Sequence, residues 1–303
     1  MLPAAVRNLL GRFSPHHGSP VVHALVAAHA NPEPAAEKAE TPVRAMWPPA
    51  RLAMAHLLWG DGFVFPGGET ETVRLARPLG ASAATSLLVI GVGSGGPATA
   101  LANNMGTWVT GMESDPDLIT AALKLVVKAK LGKKISIKAW DPANPQFVAR
   151  SHHHCLALEP RLGAHPEPIL NGVAQALRPG GQLVLTELAC AAPLNPSDPD
   201  VQRWAKLERR DATDIPPGKS VTRVLGRVGM DVRITEDISS RHLEQALLGW
   251  RLLLRDLRAN KPTRQQAAQL IAEAELWLLR WRLIRNGQLR MMRWHATSRA
   301  KLT

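Results

Sequence analysis

Residues 87–96 read Leu87-Leu88-Val89-Ile90-Gly91-Val92-Gly93-Ser94-Gly95-Gly96, and Pro97-Ala98 follow. Four consecutive aliphatic residues suit a short strand buried on both faces, the kind found in parallel sheets. The glycines that follow at once permit a tight strand-to-helix turn in which backbone comes close to a ligand. Gly93 and Gly95 leave space where a Cβ would clash, and a helix beginning near Gly95 offers N–H groups without intrahelical partners. Gly91, Gly93 and Gly96 satisfy G-x-G-x-x-G, and Glu113 lies 20 residues beyond Gly93 at the end of the next strand. A carboxylate there suits the paired hydroxyls of a ribose. By itself the turn admits two classes of nucleotide-like ligand, dinucleotides among them.

Working outward, the apolar pattern alternates strands at 86–90, 108–112, 135–139, 155–158, 182–186 and 231–234 with helices at 95–103, 116–130, 167–177 and 220–228. Such alternation predicts a parallel sheet with crossover helices. Residues 240–286 carry two long amphipathic helical patterns separated by Asn260-Lys261-Pro262-Thr263, with Pro262 at a helix start. Within them Trp250, Leu253, Leu257, Leu270, Ala274, Trp277 and Leu278 fall at core spacing. Residues 288–295 alternate as a last strand. Upstream, Val43, Met46, Trp47, Leu52, Leu57 and Leu58 suggest helical structure broken by Pro48-Pro49, ahead of a loop from Trp59 to Gly68 and a helix at 69–77. The chain thus divides into a flexible tail over 1–40, a cap and lid over 41–80, a core over 81–239 with 287–303, and a helical-pair insertion over 240–286. Residues 1–13 fit a short basic amphipathic helix or a frayed terminus.

Four stretches together resemble the class I S-adenosylmethionine-dependent methyltransferases. Residues 88–96 are similar to that family's first motif, and Gly111-Met112-Glu113 to its ribose-binding strand end. Ala139-Trp140-Asp141 stands where the family has an adenine-contacting acid. Leu177-Arg178-Pro179-Gly180-Gly181-Gln182-Leu183-Val184-Leu185 resembles its turn and fifth strand, a segment that dinucleotide-binding halves do not usually carry.

The resemblance implies a doubly wound, mostly parallel, seven-stranded Rossmann-like α/β sheet with an antiparallel last strand. It implies S-adenosylmethionine as cofactor, held by Gly91, Val92, Gly93, Ser94, Gly95, Glu113, Ser114, Asp141 and Pro142, under a lid bearing Trp59, Phe63 and Phe65. The implied reaction is in-line methyl transfer to a small-molecule or lipid-like acceptor. Two positions depart from the family pattern. Val89 occupies a place where an acid commonly helps orient the cofactor's amino end, and Pro142 removes a backbone donor, which Ala143 would have to replace. A nicotinamide-dependent oxidoreductase and a non-catalytic or non-methylating binder on the same scaffold are the alternatives.

Methyl transfer from an activated donor chiefly needs alignment and exclusion of water. Where an acceptor arrives protonated, Glu159, at the end of the fourth strand, is the candidate catalytic group; its structural alternative is an ion pair with Arg161. In His152-His153-His154 successive side chains point to opposite faces, and no nearby Cys or acid completes a metal set, so no metal site is expected. Phe63 and Phe65 suit either a closure over a cation or anchorage of the loop.

The net charge is +12, and residues 241–303 hold thirteen Lys and Arg against four Asp and Glu, so the excess is local. Arg251, Arg255, Arg258, Arg280, Arg282 and Arg285, with Trp281, make either a solvated face or a surface for peripheral contact with an anionic membrane. No motif points to nucleic acid. Cys155 and Cys190 have neither metal-ligand nor disulfide spacing, and no apolar run reaches bilayer length, which together predict a cytoplasmic protein with free thiols.

Overall fold

The computed structural model describes residues 46–299. The tail over 1–40, its helix over 1–13 and the first residues of the cap, 41–45, lie outside the described residues. Seven strands form one sheet: β1 (Ser86–Ile90), β2 (Trp108–Glu113), β3 (Ile135–Ala139), β4 (His152–Leu158), β5 (Leu177–Cys190), β6 (Met230–Asp237) and β7 (Leu289–Ser298). Their order is β3-β2-β1-β4-β5-β7-β6. β7 runs antiparallel between β5 and β6, and the pairs from β3 through β5 are parallel.

Period-two alternation sets the two cores. Leu88, Ile90, Cys155, Ala157, Leu183 and Leu185 face one layer, where they meet Ile169 and Val173 of α5 (Glu167–Ala176) and Val221 and Leu225 of α7 (Gly218–Arg227). Leu87, Val89, Leu156 and Val184 face the other, with Ala98 and Leu101 of α3 (Gly96–Met105) and Val126 of α4 (Pro116–Lys128). Strands buried on both faces explain the unbroken apolar runs. The order reverses direction between β1 and β4, a topological switch point, and the carboxyl ends of strands there open on a crevice.

Four further helices cover that crevice. α1 (Pro49–Trp59) starts with proline at its first position, and α2 (Gly68–Ala76) follows the loop. The helical pair is α8 (Ser239–Ala259) and α9 (Arg264–Arg285), the latter opened by a reciprocal capping box of Thr263 and Gln266. Several elements differ from the sequence expectation, β4 beginning at His152 rather than 155 and β6 running on to Asp237. β5 begins at Leu177 rather than 182, since the Pro179-Gly180-Gly181 segment continues the strand. The sequence reading also left out α6 (Pro199–Glu208), whose Asp198 Oδ1 caps the N–H groups of Asp200 and Val201. Val201 and Trp204 of α6 pack on Leu276, Leu279 and Leu283 of α9, a third core that fixes the helical pair against the sheet. Among the described residues no helix is long and apolar enough to cross a membrane.

Candidate functional site

The glycine turn is locked by the second strand. Gly91 and Val92 donate N–H to the Met112 carbonyl at 3.0 and 3.3 Å, and Gly93 N–H donates to Glu113 Oε2 at 2.8 Å. Glu113 Oε1 accepts from Ser114 and Asp115 N–H at 2.8 and 3.2 Å. Glu113 is buried; burial pushes its carboxyl above the ordinary value, while the N–H donors of Asp115, Ser114 and Gly93 pull the other way. Gly91 has φ +72°, and a Cβ there would run into the Leu158 carbonyl, so backbone from β4 closes on the turn.

One sequence expectation needs correction at the start of α3. The Gly96 N–H is not free: it donates to the Gly62 carbonyl at 2.8 Å, and a Cβ on Gly96 would lie 2.5 Å from that oxygen. The loop is therefore clamped onto the turn by backbone contact. Its aromatics divide in role. Trp59 and Phe63 are buried, Trp59 meeting Trp277 edge-on at 5.1 Å and Phe63 meeting Phe65 edge-on at 6.1 Å. Phe65, with Val64 and Pro66, is turned to a cavity.

That cavity, of about 170 Å³, runs from the turn to the helical cover. Among the residues expected at the site, Gly91, Gly93, Glu113, Ser114, Phe65 and Glu159 line it. Val92, Ser94, Gly95, Asp141, Pro142, Trp59 and Phe63 lie outside its lining. Ser94 is buried and shares a 2.8 Å hydrogen bond with His56 Nε2 of α1. Asp141 is exposed, and its Oδ1 accepts the Ala143 N–H at 2.9 Å, so the donor expected to replace that of Pro142 is already engaged. The neighbouring Trp140 lines the cavity instead, braced by Phe147 at 5.8 Å. Glu71 and Gln245 line the cap side, joined by a 2.7 Å hydrogen bond from Gln245 Nε2, while Arg241 Nε lies 3.1 Å from Glu71. Neither was singled out from the sequence.

The remaining expected residues separate. Glu159 holds a left-handed φ of +43°, uncommon for a side chain with a Cβ. Its ion-pair partner is Arg280, Nη2 to Oε2 at 2.6 Å, and not Arg161. Arg161 instead donates to Met46 Sδ at 3.0 Å and to the Arg209 carbonyl at 2.8 Å. His152, His153 and His154 bond to different groups: Ser151 Oγ, the Ser86 N–H and the Gln182 N–H. Cys155 is fully buried, which pushes its thiol up and leaves it protonated.

No protein-family model matches the chain. Phosphoethanolamine N-methyltransferase 3 of Arabidopsis thaliana is 23% identical over 188 residues, which is 62% of this chain and 37% of that protein. In solved structures, phosphoethanolamine N-methyltransferase 2 of Haemonchus contortus, in complex with phosphomonomethylethanolamine and S-adenosylhomocysteine, superposes with TM-score 0.72 at 17% identity. It is matched over 82% of this chain and 57% of its own. The [4+2]-cyclase SpnF superposes with TM-score 0.63 at 15% identity, over 84% of this chain and 94% of its own. The chain thus spans well under two thirds of the methyltransferases named here. By strand order and by these relationships, the chain has the fold of the class I S-adenosylmethionine-dependent methyltransferases and is similar, at distant identity, to small-molecule members of that superfamily.

Proposed function

We propose that the protein is an S-adenosylmethionine-dependent methyltransferase acting on a small-molecule acceptor. The observation that carries this is Glu113: its carboxylate closes on Gly93 N–H and also lines the cavity. Gly91 and Gly93 form the floor on which the cofactor's central portion rests, Glu113 takes the ribose hydroxyls, and Trp140 offers a flat apolar face to the adenine. The chain has no acid at position 89, where the fully buried Val89 sits in the core. Glu71 and Gln245 are the polar groups on the cap side that take over the cofactor's amino-acid end. When bound, the cofactor supplies a methyl group already activated on a sulfonium. The protein's part is to hold the acceptor in line, with Phe65 and Pro66 shielding the reacting centre from water.

Calorimetric titration of the full chain tests this. S-adenosylhomocysteine is expected to bind with micromolar affinity and NAD(H) to give no heat; heat from NAD(H) alone would replace the proposal with the oxidoreductase alternative.

A non-methylating use of the same scaffold draws support from Val89 and from the cyclase that shares the fold. Peripheral contact with an anionic bilayer draws support from the outer face of α8, where Leu248 and Leu252 are 56% and 46% exposed beside the exposed Arg251, Arg255 and Arg258. Co-sedimentation with phosphatidylglycerol vesicles, lost in Leu252→Glu, is the expected result; equal pelleting with neutral vesicles would count against it.

A further inference from the structure

Besides the glycine turn, the cavity is lined by four guanidinium groups, Arg51, Arg161, Arg210 and Arg280. Arg51, Arg210 and Arg280 are 6%, 9% and 5% exposed. Cations so deeply buried are almost always paired, and these three are. Arg51 lies 3.4 Å from Glu273, Arg210 lies 3.1 Å from Glu187, and Arg280 lies 2.6 Å from Glu159. Arg161 is different. Its two hydrogen bonds go to a thioether and a carbonyl, and among the described residues no carboxylate lies within ion-pair distance of it.

Pairing does not use up the donors. Arg210 Nη2 and Arg280 Nε are buried without a hydrogen-bond partner, as is His242 Nε2 on the same wall. A buried polar group left unpartnered is costly, so a wall that keeps several suits a group arriving from outside. Burial and the neighbouring charge of Arg210 hold the Arg161 guanidinium below its ordinary value, while the charges of Glu208, Glu187 and Glu159 pull the other way. Among the described residues, Glu208 Oε2 is a buried acceptor on the same lining that is also left unpartnered.

We propose that this arginine wall binds the oxyanion head of the methyl acceptor, a carboxylate or a phosphate, and thereby points the acceptor's nucleophile toward the glycine turn. Planar guanidinium forks meet the oxygens of either group with paired N–H···O bonds. Glu208 Oε2 then meets an N–H or O–H carried by the same molecule. Glu159 acts here as a positioning residue: its carboxylate, bound to Arg280, sets the direction of that guanidinium. The inference rests on the methyltransferase reading of the cavity for the identity of the ligand as acceptor, and on the wall alone for the binding of an anion.

The test is a titration of the full chain, with and without saturating S-adenosylhomocysteine, using inorganic phosphate, acetate and the neutral trimethyl phosphate as probes. Phosphate or acetate is expected to bind and trimethyl phosphate not; which of the two anions binds identifies the head group. Arg161→Gln, which breaks no ion pair, is expected to weaken the anion at least tenfold and to leave S-adenosylhomocysteine affinity unchanged. Arg161→Lys, which keeps the charge without the fork, is expected to fall between. No anion binding to a chain that binds S-adenosylhomocysteine, or equal anion affinity in Arg161→Gln, overturns the proposal and leaves the cofactor reading standing. Anion binding to a chain that ignores S-adenosylhomocysteine has the opposite meaning: the wall stands and its assignment to a methyl acceptor falls.

Discussion

Replacement of Gly93 by arginine is expected to abolish S-adenosylhomocysteine binding, by at least a hundredfold, in a chain that still folds. The conformation at Gly93 is left-handed, φ +58°, which costs a residue with a Cβ about 1–2 kcal/mol. A Cβ there meets Val64 Cγ2 at 2.9 Å, the end of a side chain in the loop, which has room to shift. The strain is therefore survivable, while the arginine stem occupies the cavity floor beside Glu113. A hundredfold loss corresponds to about 2.7 kcal/mol of binding, and the melting temperature should fall by only a few degrees for a domain of this size. Gly91 is the wrong position for the same test, because its Cβ would meet the backbone carbonyl of Leu158, which cannot move without breaking the β1–β4 pairing. Undiminished affinity in folded Gly93→Arg would remove the turn from the cofactor site.

What was readable in the sequence was local. A strand buried on both faces, a glycine turn and a strand-end acid lie within thirty residues, and each carries its own physical signature. The same holds for helix starts such as Asp115-Pro116, where the Asp115 side chain accepts from the N–H groups of Asp117 and Leu118. By that rule Asp198-Pro199-Asp200 also announces a helix, so the start of α6 is legible in the sequence. Glu208 lies at the last position of α6 and lines the cavity. The side chain facing the ligand beyond β3 was not legible. Asp141 turns back onto Ala143 N–H, and Trp140 is left at the cavity wall, a difference of one residue set by a local turn. Pairings between distant segments carry no sequence signal at all. Glu159 reaches Arg280 across 121 positions, and neither residue's immediate neighbours distinguish that partner from Arg161, two positions away.

Glu187→Ala is expected to cost about 3–5 kcal/mol of stability, read as a fall in the midpoint of urea unfolding at unchanged slope. Glu187 is fully buried and is committed three times: its oxygens accept from Leu162 N–H at 2.9 Å, Leu188 N–H at 3.1 Å and Arg210 Nη1 at 3.1 Å. Truncation strands a guanidinium that is itself buried, and that penalty exceeds anything an exposed pair such as Arg227 and Glu167 could produce. Against a typical total of about 5–15 kcal/mol, the loss is severe. Glu187→Gln, which keeps an acceptor for the two N–H groups and removes only the charge, should lose less. The informative variant is the double replacement Glu187→Leu with Arg210→Met. Burying two apolar groups of similar size in place of a buried pair often restores stability, so this chain is expected to unfold much nearer the parent midpoint. It would nevertheless lack the unpartnered Arg210 Nη2 donor on the cavity wall. Recovered stability together with weakened anion binding would mean that the pair is kept for what it presents to the cavity; recovery of both would make it a dispensable part of the scaffold.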